Sequence, residues 1–231
     1  MDTARAPPIA IILGVRPDGD HGCSLLGNGS VGCPIVTILL TGDSITDAGR
    51  DRDDLASLGD GYAALVAADL PDERVLNTGI SGNRVVDLQA RWDADVLAHT
   101  PDVLSIMIGI NDTWRRYDRD DPTSARSYEA GYRDLLARSR AAGVGRILLV
   151  EPFLLALGPD QWDWREDLDP KIAAVRRLAE EFGAEYVATD GPYAQAAARV
   201  GAAALAHDGV HPTPAGHRLL ADLWLEAYRT A

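Results

Sequence analysis

Four short stretches of this chain carry side chains suited to acyl transfer. They are Thr41-Gly42-Asp43-Ser44-Ile45-Thr46-Asp47, Gly79-Ile80-Ser81-Gly82-Asn83-Arg84, Gly109-Ile110-Asn111-Asp112, and His207-Asp208-Gly209-Val210-His211-Pro212-Thr213. Together they offer a hydroxyl, a glycine backbone, a carboxamide, and an imidazole with a carboxylate close by. Acyl transfer needs that set: a nucleophile, a base, a group that orients the base, and donors for an oxyanion.

Each residue also has a plainer use. A lone serine behind a strand is most often a helix cap; as a nucleophile, Ser44 would gain from the N-terminus of a helix following it. His211 competes with His207 and His217 for the role of base. The spacing of four between His207 and His211 suggests a metal pair on one helical face. Gly209 and Pro212 argue against a helix there, so the two rings need not share a face, and no metal or other cofactor is expected. Asp208 stands three residues before His211 and can reach the far ring nitrogen to hold the productive tautomer. Asp43 and Asp112 are rival carboxylates for that task. Gly82 alone is a turn glycine, and Asn111 alone a loop-capping asparagine.

The elements that must position these groups follow from periodicity. Strand candidates are Ile35–Leu40, Arg74–Asn77, Val103–Ile108, Arg146–Val150 and Glu185–Ala188, short apolar runs suited to burial on both faces. Amphipathic helices lie between them. Val85, Leu88, Trp92 and Val96 make one stripe, and Tyr128, Tyr132, Leu135 and Leu136 a second. Ile172, Val175, Ala179 and Phe182 make a third, opened by Asp169-Pro170 and closed by Gly183. A last helix from Thr213-Pro214 buries Leu220, Leu223, Trp224 and Ala227. Regular strand–helix alternation predicts an α/β fold with a parallel sheet, right-handed crossovers and helices on both faces. Ligands then bind beyond the carboxyl ends of the strands, where all four stretches fall.

Gly42-Asp43-Ser44, Gly82 within Gly-Ile-Ser-Gly-Asn, Gly109-Ile-Asn111-Asp and Asp208-Gly-Val-His211-Pro resemble, in order, the four signature blocks of the SGNH/GDSL hydrolases. The resemblance covers the chain from about Ile35 to its end. It implies a three-layer α/β/α sandwich around a five-stranded parallel sheet, a flavodoxin-like arrangement. It further implies a Ser44–His211–Asp208 triad, with an oxyanion hole made by the N–H groups of Ser44 and Gly82 and the amide of Asn111. Residues 79–88 and 108–115 are similar to bacterial carbohydrate acetylesterases, notably those acting on acetylated xylo-oligosaccharides. The expected reaction is hydrolysis of a short acyl ester, acetyl on a sugar hydroxyl, through an acyl-enzyme. A lysophospholipase or thioesterase of the same family is one alternative. A binding module that kept the fold without the reaction is another, although Ser44 and His211 both stand here.

Asp43, Arg84, Trp114 and Arg115 flank these blocks as candidate substrate contacts. Trp162 and Trp164, in a polar stretch, are candidates for an aromatic platform under a sugar ring. Glu151 reads as a structural ion-pair partner, and Trp92 as core.

The charge balance narrows the partners. With 35 acidic against 22 basic residues the net charge is -13. No basic face is available for nucleic acid, and anionic membrane surfaces are disfavoured for the same reason. No apolar run approaches the ~18 residues of a spanning helix. A small ester is the expected partner, and a homo-oligomer stays open. Residues 1–34 differ from the rest, being rich in Gly and Pro and without periodicity. They read as an irregular tail ahead of a hydrolase domain at 35–231, with the natural start expected near Val36. Cys23 and Cys33 would pair only in an oxidising compartment. Pro7-Pro8 interrupts the one signal-like run, so a cytoplasmic location is expected.

Overall fold

The computed structural model describes residues 35–230. The expectations about the 1–34 tail, its start and the Cys23–Cys33 pair lie outside the described residues. Five strands, β1 (Thr37–Gly42), β2 (Arg74–Asn77), β3 (Val103–Met107), β4 (Arg146–Val150) and β5 (Glu185–Val187), form one sheet in the order β2-β1-β3-β4-β5. All four pairings are parallel. The α/β sandwich is therefore the observed fold. Each strand agrees with its expected segment to within two residues at either end.

Alternation along the strands builds two separate cores. Ile38 and Leu40 of β1, Val103 and Met107 of β3, and Leu148 and Val150 of β4 face one side. Leu39, Leu104, Ile106, Ile147 and Leu149 face the other, as the two-residue period of a strand requires. Helices α1 (Tyr62–Asp69), α7 (Asp190–Val200) and α8 (Pro214–Thr230) cover the first side through Val66, Tyr193 and Trp224. Helices α2 (Val85–Asp95), α4 (Ala125–Ala141) and α6 (Arg165–Phe182) cover the second through Trp92, Tyr132 and Leu178. Trp92 is fully buried, in line with its reading as core. Ser105 of β3, which faces the first core, accepts the indole N–H of Trp224 at 2.9 Å.

Three local expectations need correction. Helix α6 begins at Arg165, so Pro170 lies inside it rather than at its start. Proline removes one i→i−4 hydrogen bond. Buried Trp164 and Leu168, and a buried Lys171–Asp167 ion pair one turn apart, hold the earlier turn to the body. Asn111, expected in a loop behind the third strand, stands instead in the first turn of a helix, α3 (Ile110–Arg119). Its apolar stripe of Ile110, Trp114 and Tyr117 was present in the sequence at helical spacing. No helix follows Ser44. The chain makes a single turn there, closed by the Asp47 N–H on the Asp43 carbonyl at 2.9 Å, and the next helix is α1 at Tyr62. In between, Asp51 and Asp54 accept hydrogen bonds from backbone N–H groups two residues on, turns that compete with helix.

Candidate active site

The sheet order reverses its direction of growth between β1 and β3, where the loops following the two strands diverge and leave a crevice. The β1 loop delivers Ser44. The β3 end delivers Asn111 on the first turn of α3. The segment ahead of α8 delivers Asp208 and His211. That segment is closed by an antiparallel bridge between Ala206 and Pro212 and by the Thr213 N–H on the Leu205 carbonyl at 2.8 Å. It is also pinned from the β4 side: Leu155 N–H donates to the Gly209 carbonyl at 2.9 Å, and the Gln161 amide donates to the Asp208 carbonyl at 2.7 Å.

Ser44 and His211, 167 residues apart, meet here: the hydroxyl lies 2.8 Å from Nε2 of the ring. The other ring nitrogen, Nδ1, lies 2.6 Å from Oδ2 of Asp208. An ionised carboxylate only accepts, so Nδ1 carries the proton and Nε2 is left to accept from the serine. The second oxygen of Asp208 accepts the backbone N–H groups of Val210 at 2.9 Å and His211 at 2.7 Å. Burial opposes ionisation of Asp208. The hydrogen bonds from the His211 ring, the His211 N–H and the Val210 N–H outweigh it and hold the carboxyl below its ordinary range.

The remaining donors lie nearby in the fold. Gly82 has φ +83°, a left-handed conformation that side-chain-bearing residues rarely adopt. Among the described residues, the N–H groups of Ser44 and Gly82 find no backbone acceptor. Asn111 is buried. Its amide nitrogen donates to the Asn83 carbonyl at 3.1 Å, and its oxygen accepts from Arg115 at 3.3 Å. A carboxamide nitrogen has two hydrogens, so one is left over for a ligand.

The loop carrying Gly82 is tied to the loop carrying Ser44 by residues that were not singled out from the sequence. Asp47 accepts from both the N–H and the hydroxyl of Ser81 and pairs with Arg50 and Arg52. Arg50 also donates to the Gly79 carbonyl at 2.8 Å. The partners are too distant along the chain for any local pattern to have revealed them.

The other expected contacts divide. A cavity of about 470 Å³ is lined by Ser44, Ala48, Asp60, Ser81, His207, His211, Pro212, Pro214 and His217. Trp114 stands beside the His211 ring, with centroids 5.9 Å apart. Asp43, expected among the substrate contacts, is instead 1% exposed. Its Oδ1 accepts from the Ile45 N–H at 3.1 Å, and its Oδ2 is buried without a partner. Burial pushes its carboxyl up to about 7, against the pull of the Ile45 N–H and of His211. Asp112 is also buried, pushed up to about 7 by burial, and receives the Val85 N–H at 3.1 Å. Neither carboxyl touches His211.

Trp162 and Trp164 do not make one platform. Trp162, on the short helix α5 (Pro159–Trp162), is 63% exposed, whereas Trp164 is 7% exposed. Trp164 is packed on Trp114 and Tyr117, because its apolar ring completes the core under α3. Arg84 pairs with Asp121 at the surface, and Arg115 pairs with Asp118. Glu151 is fully buried and bound to Arg176 and the Thr189 N–H, an ion-pair role as expected. His217 accepts the Tyr62 N–H at 3.2 Å, and burial lowers its tendency to protonate. His207 and His211 lie with rings inclined by 22° and centroids 6.1 Å apart. A helix is not needed for this, because the turn at Gly209 brings the two rings to one side. With Asp208 they form a group whose ligand atoms all lie within 4.8 Å of one another. Among the described residues, no helix is long and apolar enough to cross a membrane.

Residues 40–219 match the GDSL-like Lipase/Acylhydrolase family. The chain is 41% identical over 202 residues to an acetylxylan esterase from Geobacillus stearothermophilus, an alignment covering 81% of this chain and 91% of that protein. The crystal structure of an acetylxylan esterase from that organism superimposes with a TM-score of 0.77 at 40% identity, covering 83% and 93% of the two chains. A GDSL-like lipase candidate from Parabacteroides merdae superimposes with a TM-score of 0.80 at 36% identity, covering 83% and 94%.

Proposed function

The chain belongs to the GDSL-like lipase/acylhydrolase family and is a carboxylic ester hydrolase, and we propose that it removes short acyl groups, acetyl above all, from carbohydrate hydroxyls. Residues 35–231 are the unit that carries this activity. The single observation behind the reading is the continuous hydrogen-bonded chain from Ser44 through His211 to Asp208. Among solved structures of the Geobacillus esterase are catalytic mutants in which a serine, a histidine and an aspartate are each replaced by alanine.

The geometry supports the following cycle. Ser44 attacks the ester carbonyl while Nε2 of His211 takes its proton, and Asp208 holds the imidazolium that forms. The tetrahedral oxyanion is received by the Ser44 and Gly82 N–H groups and the free amide hydrogen of Asn111. The proton on His211 passes to the departing sugar hydroxyl. Water then enters, His211 removes its proton, and the acyl-enzyme is cleared as free acid.

Two features favour a sugar ester over a lipid. Trp114 places an aromatic face beside the base. The cavity at Ser44 is walled by imidazole, carboxylate, hydroxyl and proline groups, with no long apolar groove among its lining residues. The test is a chain-length series of aryl acyl esters beside acetylated xylo-oligosaccharides. Turnover should fall steeply beyond acetyl, and acetate should be released from the oligosaccharides. A maximum at octanoyl or longer would replace this reading with a lysophospholipase or thioesterase.

A further inference from the structure

We propose that His207, Asp208 and His211 form a binding site for a divalent transition-metal ion, zinc in the first place, and that occupancy switches the esterase off. The inhibition rests on the triad reading above; the binding does not. Among the described residues, the group offers two imidazole nitrogens and a carboxylate oxygen within 4.8 Å of one another, a donor set suited to zinc. The Nε2 of His207 lies 4.0 Å from Oδ2 of Asp208. Ligands on one zinc ion, at bond lengths of about 2.0–2.2 Å, stand roughly 3.3–3.5 Å apart. A modest swing of His207 closes this difference, while the Asp208–His211 pair, at 2.6 Å, has to open by a similar amount as its shared proton leaves. Its side chain is 67% exposed, and no hydrogen bond of its own holds it among the described residues.

The surroundings favour a cation. The cavity wall adds the Asp60 carboxylate to these groups and contains no lysine or arginine. The net charge of -13 adds a long-range attraction. His207 also differs from the rest of the cluster in having no part in the hydrogen-bonded chain of Ser44, His211 and Asp208.

Coordination stops the reaction whichever nitrogen of His211 is taken. An ion on Nε2 occupies the lone pair that must accept the Ser44 proton. An ion on Nδ1 breaks the hydrogen bond to Asp208 and shifts the ring proton to Nε2, which then carries an N–H and has no lone pair left to accept from Ser44. Removing the ion restores the starting arrangement, so the inhibition is reversible.

The experiment titrates zinc chloride into the full chain carrying Ser44→Ala, which keeps all three ligands and has no turnover, and reads binding by calorimetry. One ion should bind per site, and adding His207→Ala should weaken that binding at least tenfold. Zinc taken up elsewhere on the chain is common to both proteins and cancels in the comparison. In parallel, zinc should inhibit aryl acetate hydrolysis by the Ser44 protein, a chelator should reverse it, and His207→Ala should raise the half-inhibitory concentration at least tenfold. His207→Cys, which restores a ligand, should bring the sensitivity back. Equal zinc affinity with and without His207, or equal inhibition, overturns the site. A chain that binds zinc as described but shows no esterase activity overturns the triad reading and leaves the site standing.

Discussion

Asp47 reaches from the loop behind β1 to Ser81 in the loop behind β2, accepting its backbone N–H at 2.9 Å and its hydroxyl at 2.7 Å. The carboxylate is nearly buried. Burial alone would raise its pKa, but the hydrogen bonds from Arg52 and Ser81 bring the net shift below the ordinary value, so it stays charged. One ion thus fixes the distance between the loop of Ser44 and the residue next to Gly82.

Asp47→Asn should therefore act on the transition state more than on substrate binding. Hydrogen bonds to a charged group are worth about 1.5–3 kcal/mol, so kcat should fall roughly 10- to 100-fold while KM changes by no more than about twofold. Steady-state kinetics on an acetate ester gives both numbers. A raised KM with kcat intact would detach Gly82 from the oxyanion.

Removing the proposed nucleophile is the bluntest check. Ser44→Ala should reduce kcat by a factor on the order of 10⁴ or more. Its melting temperature should stay close to that of the parent, because the hydroxyl's partner His211 remains held by Asp208. Retained turnover would remove Ser44 from the mechanism.

Asn111→Ala tests the oxyanion from its side-chain donor. The loss should be about 10²–10³ in kcat, with little change in KM. Arg115→Ala, which frees the far oxygen of that amide and the surface carboxylate of Asp118 but leaves the amide hydrogens in place, should cost much less. If both variants lose activity equally, Asn111 acts by holding α3 rather than by donating.

Stability should carry the mark of Asp43. Its buried carboxyl is pushed up to about 7, well above the ~3.9 of an unfolded aspartate. Between those two pH values the folded chain holds a proton that the unfolded chain has released, so this residue makes stability fall as pH rises from about 4 to 7. Asp43→Asn mimics the protonated acid and removes the loss. At about 1.4 kcal/mol per pK unit and ~2–4 °C per kcal/mol for a chain of this size, the variant should gain on the order of 10 °C of melting temperature over the parent at pH 8. At pH 4 the gain should be close to nil. A pH-independent difference would show that the carboxyl ionises freely in the fold.

Much of the architecture was legible from the residues. The strands announced themselves because a β-segment covered on both faces has to be apolar throughout, and helices α2 and α4 because each buries one stripe. Helix α3 was missed although Ile110, Trp114 and Tyr117 carried the period, since its polar, charged remainder reads as loop. The helix expected behind Ser44 failed for the opposite reason: a nucleophile's usual setting was assumed where Asp51 and Asp54 turn the chain instead.

For the site, the chain itself specified which chemical groups exist and in what order they follow the strands. Residue type left Asp43, Asp112 and Asp208 as rivals beside His211 and only the family resemblance favoured Asp208; burial and direction separate the three in the fold. The chain itself could not say that Trp164 belongs to the core while Trp162 faces solvent, nor that His207 shares a side with His211. Those outcomes belong to the sheet order β2-β1-β3-β4-β5 and to the turns it brings together. Local preference acts over a few residues, whereas the contact of Ser44 with His211 spans 167 and exists only once the strands have packed.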